Sequence, residues 1–507
     1  MKETYFDINN IRLKVFSEIA KIAYEETPLE GLGKSVYRIL PGEVANYRDS
    51  IFLERAIVSE RLRLGLGLKL RKASDLEAIT KGVEDIDVDH RIFEEPLVNV
   101  IPFACESCPT KSYVVTNNCR KCLAHPCSHV CPKNAITIEK TQAVIDQEKC
   151  IKCGKCKEAC PYSAIIMYDR PCASVCGVKA IESDYLGRAS INQDKCVACG
   201  RCMTECPFGA IADKSQIYQL IKAIKSGKKV YAEIAPSFIG QFGALASPIQ
   251  IKEGIKQLGF KDVTEVGLGA DFTTLEEALE FVERVPEEIS FMGTSCCHSW
   301  YLMVKKNFPE LSEQISDSST PMTYTGRYLK ELDPEGLVVF IGPCTSKKLE
   351  GLDPKVKKYV DFVITFEELL GMFVGKGIEL SEIEVDGDLS DASSSGRGYA
   401  IAGGVAQAVK DTILEINPDK KVDIVNAQTL DECIKMLKVA KAGKHKDCLL
   451  EGMACPNGCV GGAGTIASPQ RVKRELAKFM KDSKSKLPFE NEKLEFKNKD
   501  IESKRES

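Results

Sequence analysis

Histidine is scarce in this chain. It holds 5 His in 507 residues, too few for zinc or haem ligation to dominate its chemistry. Charge of one sign is also missing. The 69 Lys+Arg against 73 Asp+Glu leave a net charge of −4, which gives no footing for a nucleic-acid partner. No uninterrupted apolar run is long enough to cross a bilayer. The opening MKETYFDINN has no basic stretch leading into an apolar one and no twin-Arg pair, so the expected location is cytoplasmic and no membrane partner is expected. No flavin or nicotinamide motif is present. What remains is an ordinary globular composition, 44% hydrophobic and 28% charged, on a chain long enough for roughly three domains.

What the chain has in abundance is cysteine, 23 in all. Without a secretory signal, clustered thiols point to metal rather than to a disulfide framework. None falls in residues 1–95, where segments 15–24 and 51–64 have helix-like apolar spacing and no readable motif. Residues 96–213 are the cysteine-rich part. Residues 214–470 alternate short apolar runs, at 229–234, 288–293, 337–341, 360–365 and 398–402, with longer helical patterns. That alternation predicts an α/β domain with mainly parallel strands. Residues 471–507 read as a C-terminal helix and, from Lys481, a highly charged tail poor in apolar residues and expected to fray.

Two runs, Cys150-x-x-Cys153-x-x-Cys156-x-x-x-Cys160-Pro161 and Cys196-x-x-Cys199-x-x-Cys202-x-x-x-Cys206-Pro207, have bacterial ferredoxin spacing. There, three close thiolates wrap one cubane and the fourth reaches its neighbour. Zinc ribbons would instead present paired Cys-x-x-Cys motifs. A looser layer repeats the theme. Cys119, Cys122, Cys127 and Cys131-Pro132 precede KNAITIEKTQAVIDQEKC, and Cys172 and Cys176 precede GVKAIESDYLGRASINQDKC. The repeat predicts tandem ferredoxin-like α+β units. Sixteen Cys precede residue 207, enough for up to four 4Fe–4S clusters. The exchange rule predicts Cys119, Cys122, Cys127 and Cys160 for one cluster and Cys131, Cys150, Cys153 and Cys156 for the second. It predicts Cys176, Cys196, Cys199 and Cys202 for the third, and Cys105, Cys108, Cys172 and Cys206 for the fourth. Cys105 and Cys108 also read as free thiols or a separate clip, and Gly177 follows Cys176 where the pattern expects Pro. The layout resembles the four-cluster electron-transfer subunits of molybdenum oxidoreductases, which implies electron passage and names no substrate.

Three later segments hold five more Cys: Thr294-Ser295-Cys296-Cys297-His298-Ser299-Trp300, Gly342-Pro343-Cys344-Thr345-Ser346-Lys347-Lys348-Leu349-Glu350, and Glu451-Gly452-Met453-Ala454-Cys455-Pro456-Asn457-Gly458-Cys459. Four of them suffice for one more cubane. Adjacent Cys296 and Cys297 do not readily share one iron corner, so one is free for other work. Cys433 and Cys448 lie outside these motifs and read as small buried apolar residues.

In order and content these segments resemble the three signature motifs of the FeFe hydrogenases, over about residues 100–465. The resemblance implies a two-lobed α/β catalytic domain. It also implies an H-cluster, a 4Fe–4S cubane joined through a Cys thiolate to a two-iron site with CO, cyanide and a bridging dithiolate amine. Cys297, Cys344, Cys455 and Cys459 would hold the cubane, with Cys459 as the bridge. Lys347, and Pro236 with Ser237, would contact the cyanides, and Met453 would pack on the two-iron site. Cys296 would relay protons, followed by Glu277, Ser316 and Glu280, with Arg284 at the exit. Periodicity by itself reads this stretch otherwise. Thr273-Thr274-Leu275-Glu276 looks like a capping box opening a helix. Leu275, Ala278, Leu279 and Val282 form its apolar stripe, and Glu277, Glu280 and Arg284 form a solvated face with an i,i+4 pair.

His298, Gly342, Asn457 and Met322 depart from the family's usual Pro, Met, Gly and Gln, as in a divergent, group B-like branch. His298 reads either as an added proton-active group or as a turn spacer. The implied activity is reversible interconversion of H2 with protons and electrons. Ferredoxin is the implied carrier, and hydrogenase maturation proteins are implied partners. The alternatives are a hydrogen sensor, which usually carries an added module or loses part of the proton path, and a non-catalytic iron–sulfur relative, which lacks the full ligand and relay set.

Overall fold

The computed structural model describes residues 8–494 apart from 73, 75–76, 83–92, 244–245, 386 and 388. The apolar spacings near the start fold as helices Ile8–Glu25 and Ile51–Gly65, with Leu32–Ile39 between them. Ile8–Glu25 buries Ile11, Val15, Ile19 and Ala23, an i,i+4 series on one face. Its partner is helix Phe366–Lys376. A Cβ on Gly371 would lie 2.5 Å from Phe16 Cβ, and one on Gly375 2.7 Å from Ala20 Cβ. The two helices therefore meet on bare backbone, and the N-terminal helices share one hydrophobic core with the sheet that holds Val230–Ile234.

Among its described residues the cysteine-rich part has short helices, such as Lys155–Ala159 and Arg201–Thr204, and strands that form short antiparallel pairs. Strand β1 (Val98–Val100) pairs with β8 (Ile211–Asp213), β2 (Ser112–Val115) with β5 (Ile165–Tyr168), β3 (Ile136–Ile138) with β4 (Ala143–Ile145), and β6 (Ile181–Ser183) with β7 (Ala189–Ile191). The hairpins β3–β4 and β6–β7 are the two matching connectors of the internal repeat. Backbone conformation repeats with them. Asn134 and Lys179 have φ of 51° and 52°, and Lys152 and Ala198 have φ of 57° and 50°. Gly177 sits where an added Cβ would meet Leu430 Cβ at 2.7 Å and Asp431 N at 2.8 Å. A residue with a side chain there would push the second unit off helix Leu430–Lys441.

Residues 214–470 hold two parallel sheets. One orders β10 (Asp262–Glu265), β9 (Val230–Ile234), β12 (Leu337–Gly342) and β13 (Phe362–Thr365). The other orders β11 (Phe291–Gly293), β15 (Cys448–Met453) and β14 (Asp423–Gln428). Strands β12, β13 and β15 are buried on both faces almost throughout, as parallel strands covered by helices must be. Residues 398–402 form no strand. Gly398 ends the short helix Ser394–Gly398 and 399–402 follow it as turns, because Gly403 at φ 91° and the close backbone of Gly458 leave no room for an extended ladder.

Two further expectations need correction. The helix predicted to open at Thr273 begins earlier and runs Val266–Arg284. Thr273 and Thr274 return their hydroxyls to the carbonyls of Gly269 and Ala270, at 3.0 and 2.7 Å, as mid-helix threonines do. The chain after Lys481 does not fray at once. Asn491 is buried and donates from Nδ2 to Asp271 Oδ2 at 2.9 Å, while residues 495–507 lie outside the described residues.

The single Trp, Trp300, is fully buried, and its Nε1 donates to Thr294 O at 3.1 Å. Its ring lies on Gly452, where a Cβ would come within 2.2 Å. Gly452→Ala is therefore expected to destabilise the fold by about 1–3 kcal/mol, read from urea denaturation followed by circular dichroism. An unchanged midpoint would refute this packing.

Candidate metal centre

Parallel strands deliver their carboxyl ends to one side of a sheet, and that is where ligand sites form in such folds. Here four strand ends converge from both sheets. Ala235, Pro236 and Ser237 follow β9. Cys296 and Cys297 follow β11. Pro343 and Cys344 follow β12. Ala454 and Cys455 follow β15, with Cys459 one turn on. All of them line one cavity, together with Lys347, Met322, Tyr399 and Met453. The five sulfurs of the three late motifs thus share one chamber. Helix His298–Asn307 begins immediately after Cys297, and helix Thr345–Glu350 immediately after Cys344, so each Cys sits at a helix N-terminus that favours thiolate.

The chamber opposes bare thiolates nonetheless. Burial pushes the Cys344 thiol up to about 11. Burial also raises Cys297, Cys455 and Cys459; neighbouring sulfurs raise Cys455 and Cys459 further, whereas backbone N–H groups and Lys347 pull Cys297 part of the way back. Cations must offset that cost if the four are to ionise together. All 23 Cys are free thiols, and among the described residues no group of three or more His, Cys, Asp or Glu could hold a metal ion. A donor set of four soft thiols spread around a chamber suits a multi-iron cluster better than a single ion.

Cys296 differs from its neighbours. Burial raises its thiol well above the ordinary value, and the Glu277 carboxylate raises it further. Glu277 is fully buried, and its Oε1 accepts the Ser295 N–H at 2.6 Å. One turn along the helix, Ser316 Oγ donates to Glu280 Oε2 at 2.6 Å, and Arg284 pairs with Glu280 Oε1. The predicted solvated face is therefore wrong for Glu277. The exposed member of the stretch is Leu279, at 53%. Side-chain exposure rises outward from Glu277 to 17% at Glu280 and 23% at Arg284.

Lys347 lines the chamber and donates to Glu350 Oε2 at 2.6 Å. Glu350 also accepts from Thr320 and lies 3.6 Å from His298 Nδ1. His298 thus occupies the first position of a helix beside a carboxylate, not a free turn. Sequence reasoning assigned no role to Glu350, Tyr399 or Glu233. Glu350 was legible in principle at i,i+3 from Lys347. Tyr399, bonded to Thr274 Oγ1 at 2.9 Å, and Glu233, wholly buried in β9, carry no local signal.

The structure brings three of the four predicted sets together. Cys119, Cys122, Cys127 and Cys160 line one cavity. Cys105, Cys108, Cys172 and Cys206 line another. Cys176 lies close enough to raise the thiols of Cys196, Cys199 and Cys202, after burial, and Cys150 and Cys153 act likewise on Cys156. Cys131 packs in an apolar cluster that holds Cys150 and Cys156 but also Cys119, Cys127 and Cys160, so that cluster does not divide the first unit's two predicted sets. Cys199 also lines the main chamber. Its loop is held there by three hydroxyls. Ser299 and Ser346 donate to Val197 O at 3.2 and 3.0 Å, and Thr345 donates to Ala198 O at 2.7 Å.

The chain is similar to several known proteins. The family "Iron only hydrogenase large subunit, C-terminal domain" matches residues 228–463. An LdpA Fe–S cluster-binding domain matches 167–217, and a 4Fe–4S binding domain matches 143–166. Iron hydrogenase 1 of Clostridium pasteurianum is 29% identical over 376 residues, covering 63% of this chain and 64% of that protein. The chain thus spans under two thirds of that relative's length. The periplasmic [Fe] hydrogenase large subunit of Nitratidesulfovibrio vulgaris is 28% identical over 377 residues, 64% of this chain and 86% of that one. The cytosolic Fe–S cluster assembly factor NAR1 of Meyerozyma guilliermondii is 34% identical over 132 residues, 23% of this chain and 24% of that one. A solved [FeFe]-hydrogenase structure aligns over 53% of this chain and 88% of its own at 25% identity, with TM-score 0.44.

If Cys105, Cys108, Cys172 and Cys206 share one cubane, Cys172→Ser in the iron- and sulfide-reconstituted chain loses about four irons without change in far-ultraviolet circular dichroism. Iron content equal to that of the parent would count against that set.

Proposed function

We infer that this FeFe-hydrogenase-like protein catalyses the reversible conversion of H2 into two protons and two electrons. In this reading tandem ferredoxin-like units relay the electrons through 4Fe–4S clusters to a ferredoxin-type carrier, in the cytoplasm. The observation that carries the reading is Cys296, a fifth sulfur left over in a chamber where four suffice, buried against Glu277. A simple electron-transfer centre has no use for it.

The donor set fits an H-cluster. Cys297, Cys344, Cys455 and Cys459 would hold the cubane, with Cys459 bridging to the two-iron unit. Ser237 Oγ is buried in the chamber wall and has no hydrogen-bond partner among the described residues. A buried orphan donor calls for an acceptor, and a cyanide supplies one. Lys347 brings an ammonium, held on one side by Glu350 with donors left for an anionic ligand. Pro236 and Met453 supply apolar wall. When bound, the two-iron unit supplies the site at which the H–H bond is made or broken.

The chain's own residues then move protons and exclude water. Cys296 Sγ, kept as a neutral thiol by burial and by the Glu277 charge, holds a proton at the chamber wall. Glu277, fixed through the Ser295 N–H, accepts from the inner side. Glu280, bonded by Ser316 and Arg284, takes over one helical turn outward, where exposure begins. The hydroxyl-held Cys199 loop provides the separate electron exit. A second reading, a cluster-assembly scaffold like NAR1, draws support from the higher identity of that short match, and the same experiment separates the two.

The test is anaerobic expression with the hydrogenase maturation proteins. Infrared bands of CO and cyanide are expected, with viologen-linked hydrogen turnover. Cys296→Ala and Glu277→Gln are expected to keep the bands and lower turnover by about 10²–10⁴-fold, the usual worth of a positioned proton carrier. Absence of the bands from the fully matured parent would overturn the hydrogenase reading.

A further inference from the structure

The internal repeat presents the same loop twice, in two different settings. In the second unit the loop reads Cys196-Val-Ala-Cys199-Gly-Arg-Cys202-Met. Val197 and Ala198 are buried, and the hydroxyls of Thr345 and Ser346 hold their carbonyls against the chamber. In the first unit the loop reads Cys150-Ile-Lys-Cys153-Gly-Lys-Cys156-Lys. Its backbone has the same turn, with Lys152 at φ 57° and Gly154 at φ 83° against Ala198 at 50° and Gly200 at 76°. Tyr113 backs it at Gly154, and among the described residues its outer side is left open. Ile151 is 55% exposed, and Cys153 is the one exposed Cys of the 23.

We propose that this uncovered loop is the electron port of the protein, a docking surface for an acidic one-electron carrier protein that approaches the Cys153 edge as the catalytic chamber approaches the Cys199 edge. The proposal rests on the hydrogenase reading and names the face its carrier uses. Charge selects the occupant. Residues 111–169 carry nine Lys and Arg against five Asp and Glu, a net +4, in a chain whose total is −4. Residues 171–213, the same fold facing the chamber, carry four against five. Lysines replace apolar residues of the second loop at two matching places, Lys152 for Ala198 and Lys157 for Met203, and Lys155 matches Arg201. Lys152, Lys155 and Lys157 are exposed and have no carboxylate partner among the described residues, whereas Lys149 has Asp146 at 3.3 Å. A basic rim around an apolar residue and an exposed thiolate edge suits an acidic protein surface. Steering by opposite charge raises the encounter rate and fixes orientation, and it places the carrier's redox centre against the loop.

The experiment uses the full chain, reconstituted anaerobically with iron and sulfide, and an oxidised acidic two-[4Fe–4S] ferredoxin as probe, with basic cytochrome c as the contrasting probe. Affinity is read by biolayer interferometry. Ferredoxin binding is expected to weaken roughly tenfold between low and high salt, and by a similar factor in the triple variant Lys152→Glu, Lys155→Glu, Lys157→Glu. Reversal of Lys438 and Lys441 on helix Leu430–Lys441 serves as control and is expected to leave binding intact. Binding that ignores salt, ferredoxin affinity equal in the triple variant and the parent, equal loss in the control, or preference for cytochrome c would each overturn the port. The salt series on the unaltered chain decides even if the triple variant fails to fold. None of these readouts requires hydrogen turnover. Normal ferredoxin binding with no CO or cyanide bands would defeat the hydrogenase reading and leave the port standing.

Discussion

Charged sulfur is costly inside protein, and the rest of this structure is arranged around meeting that cost. Four thiols from three distant segments, with a fifth beside them, occupy a chamber lined mainly by apolar side chains and closed by two sheets. Burial holds every one of them toward the neutral form. Under the proposed function iron would offset that cost for the four, and the fifth would stay a thiol. The division between ligand and proton carrier would then follow from how many positive charges the chamber receives. The same pressure explains the fixed N–H groups and ammonium at its wall, since any anionic ligand there loses water and must find donors in the protein.

Two parallel sheets solve the geometric half of the problem. Each brings strand ends to one side, and helices starting just after the cysteines hold the backbone there with little freedom. The tandem units outside face a milder version, with thiols at loops whose left-handed residues turn N–H groups toward sulfur. Ala180 N and Ala210 N lie 3.2 and 3.4 Å from Cys176 Sγ and Cys206 Sγ, and the first unit repeats the pattern at Cys131 and Cys160. Such bonds stabilise thiolate and tune whatever cluster it holds.

What was legible in the sequence was whatever repeats over a few residues. Cysteine spacing, the matched connectors, the apolar periods of helices Ile8–Glu25 and Ile51–Gly65 and the strand–helix alternation are local patterns. The structure gathers Cys105, Cys108, Cys172 and Cys206, a set that spacing alone left open. Illegible features depended on tertiary neighbours. Glu277 is polar at a buried position because a loop N–H and a thiol face it, so periodicity misplaced it and put exposed Leu279 in the core. Residues 398–402 have the composition of a strand, but the glycines around them serve a chamber wall. Asn491 follows a charged stretch and is buried because Asp271, more than two hundred positions earlier, needs a donor.

The helix pair joined at Gly371 and Gly375 has a consequence for how the chain closes. The face of helix Ile8–Glu25 that meets those glycines is matched to a helix some 340 residues further along. A contact of such sequence separation is slow to form, and a methyl group added at either glycine would pry the N-terminal helices off their neighbour without touching any cysteine motif.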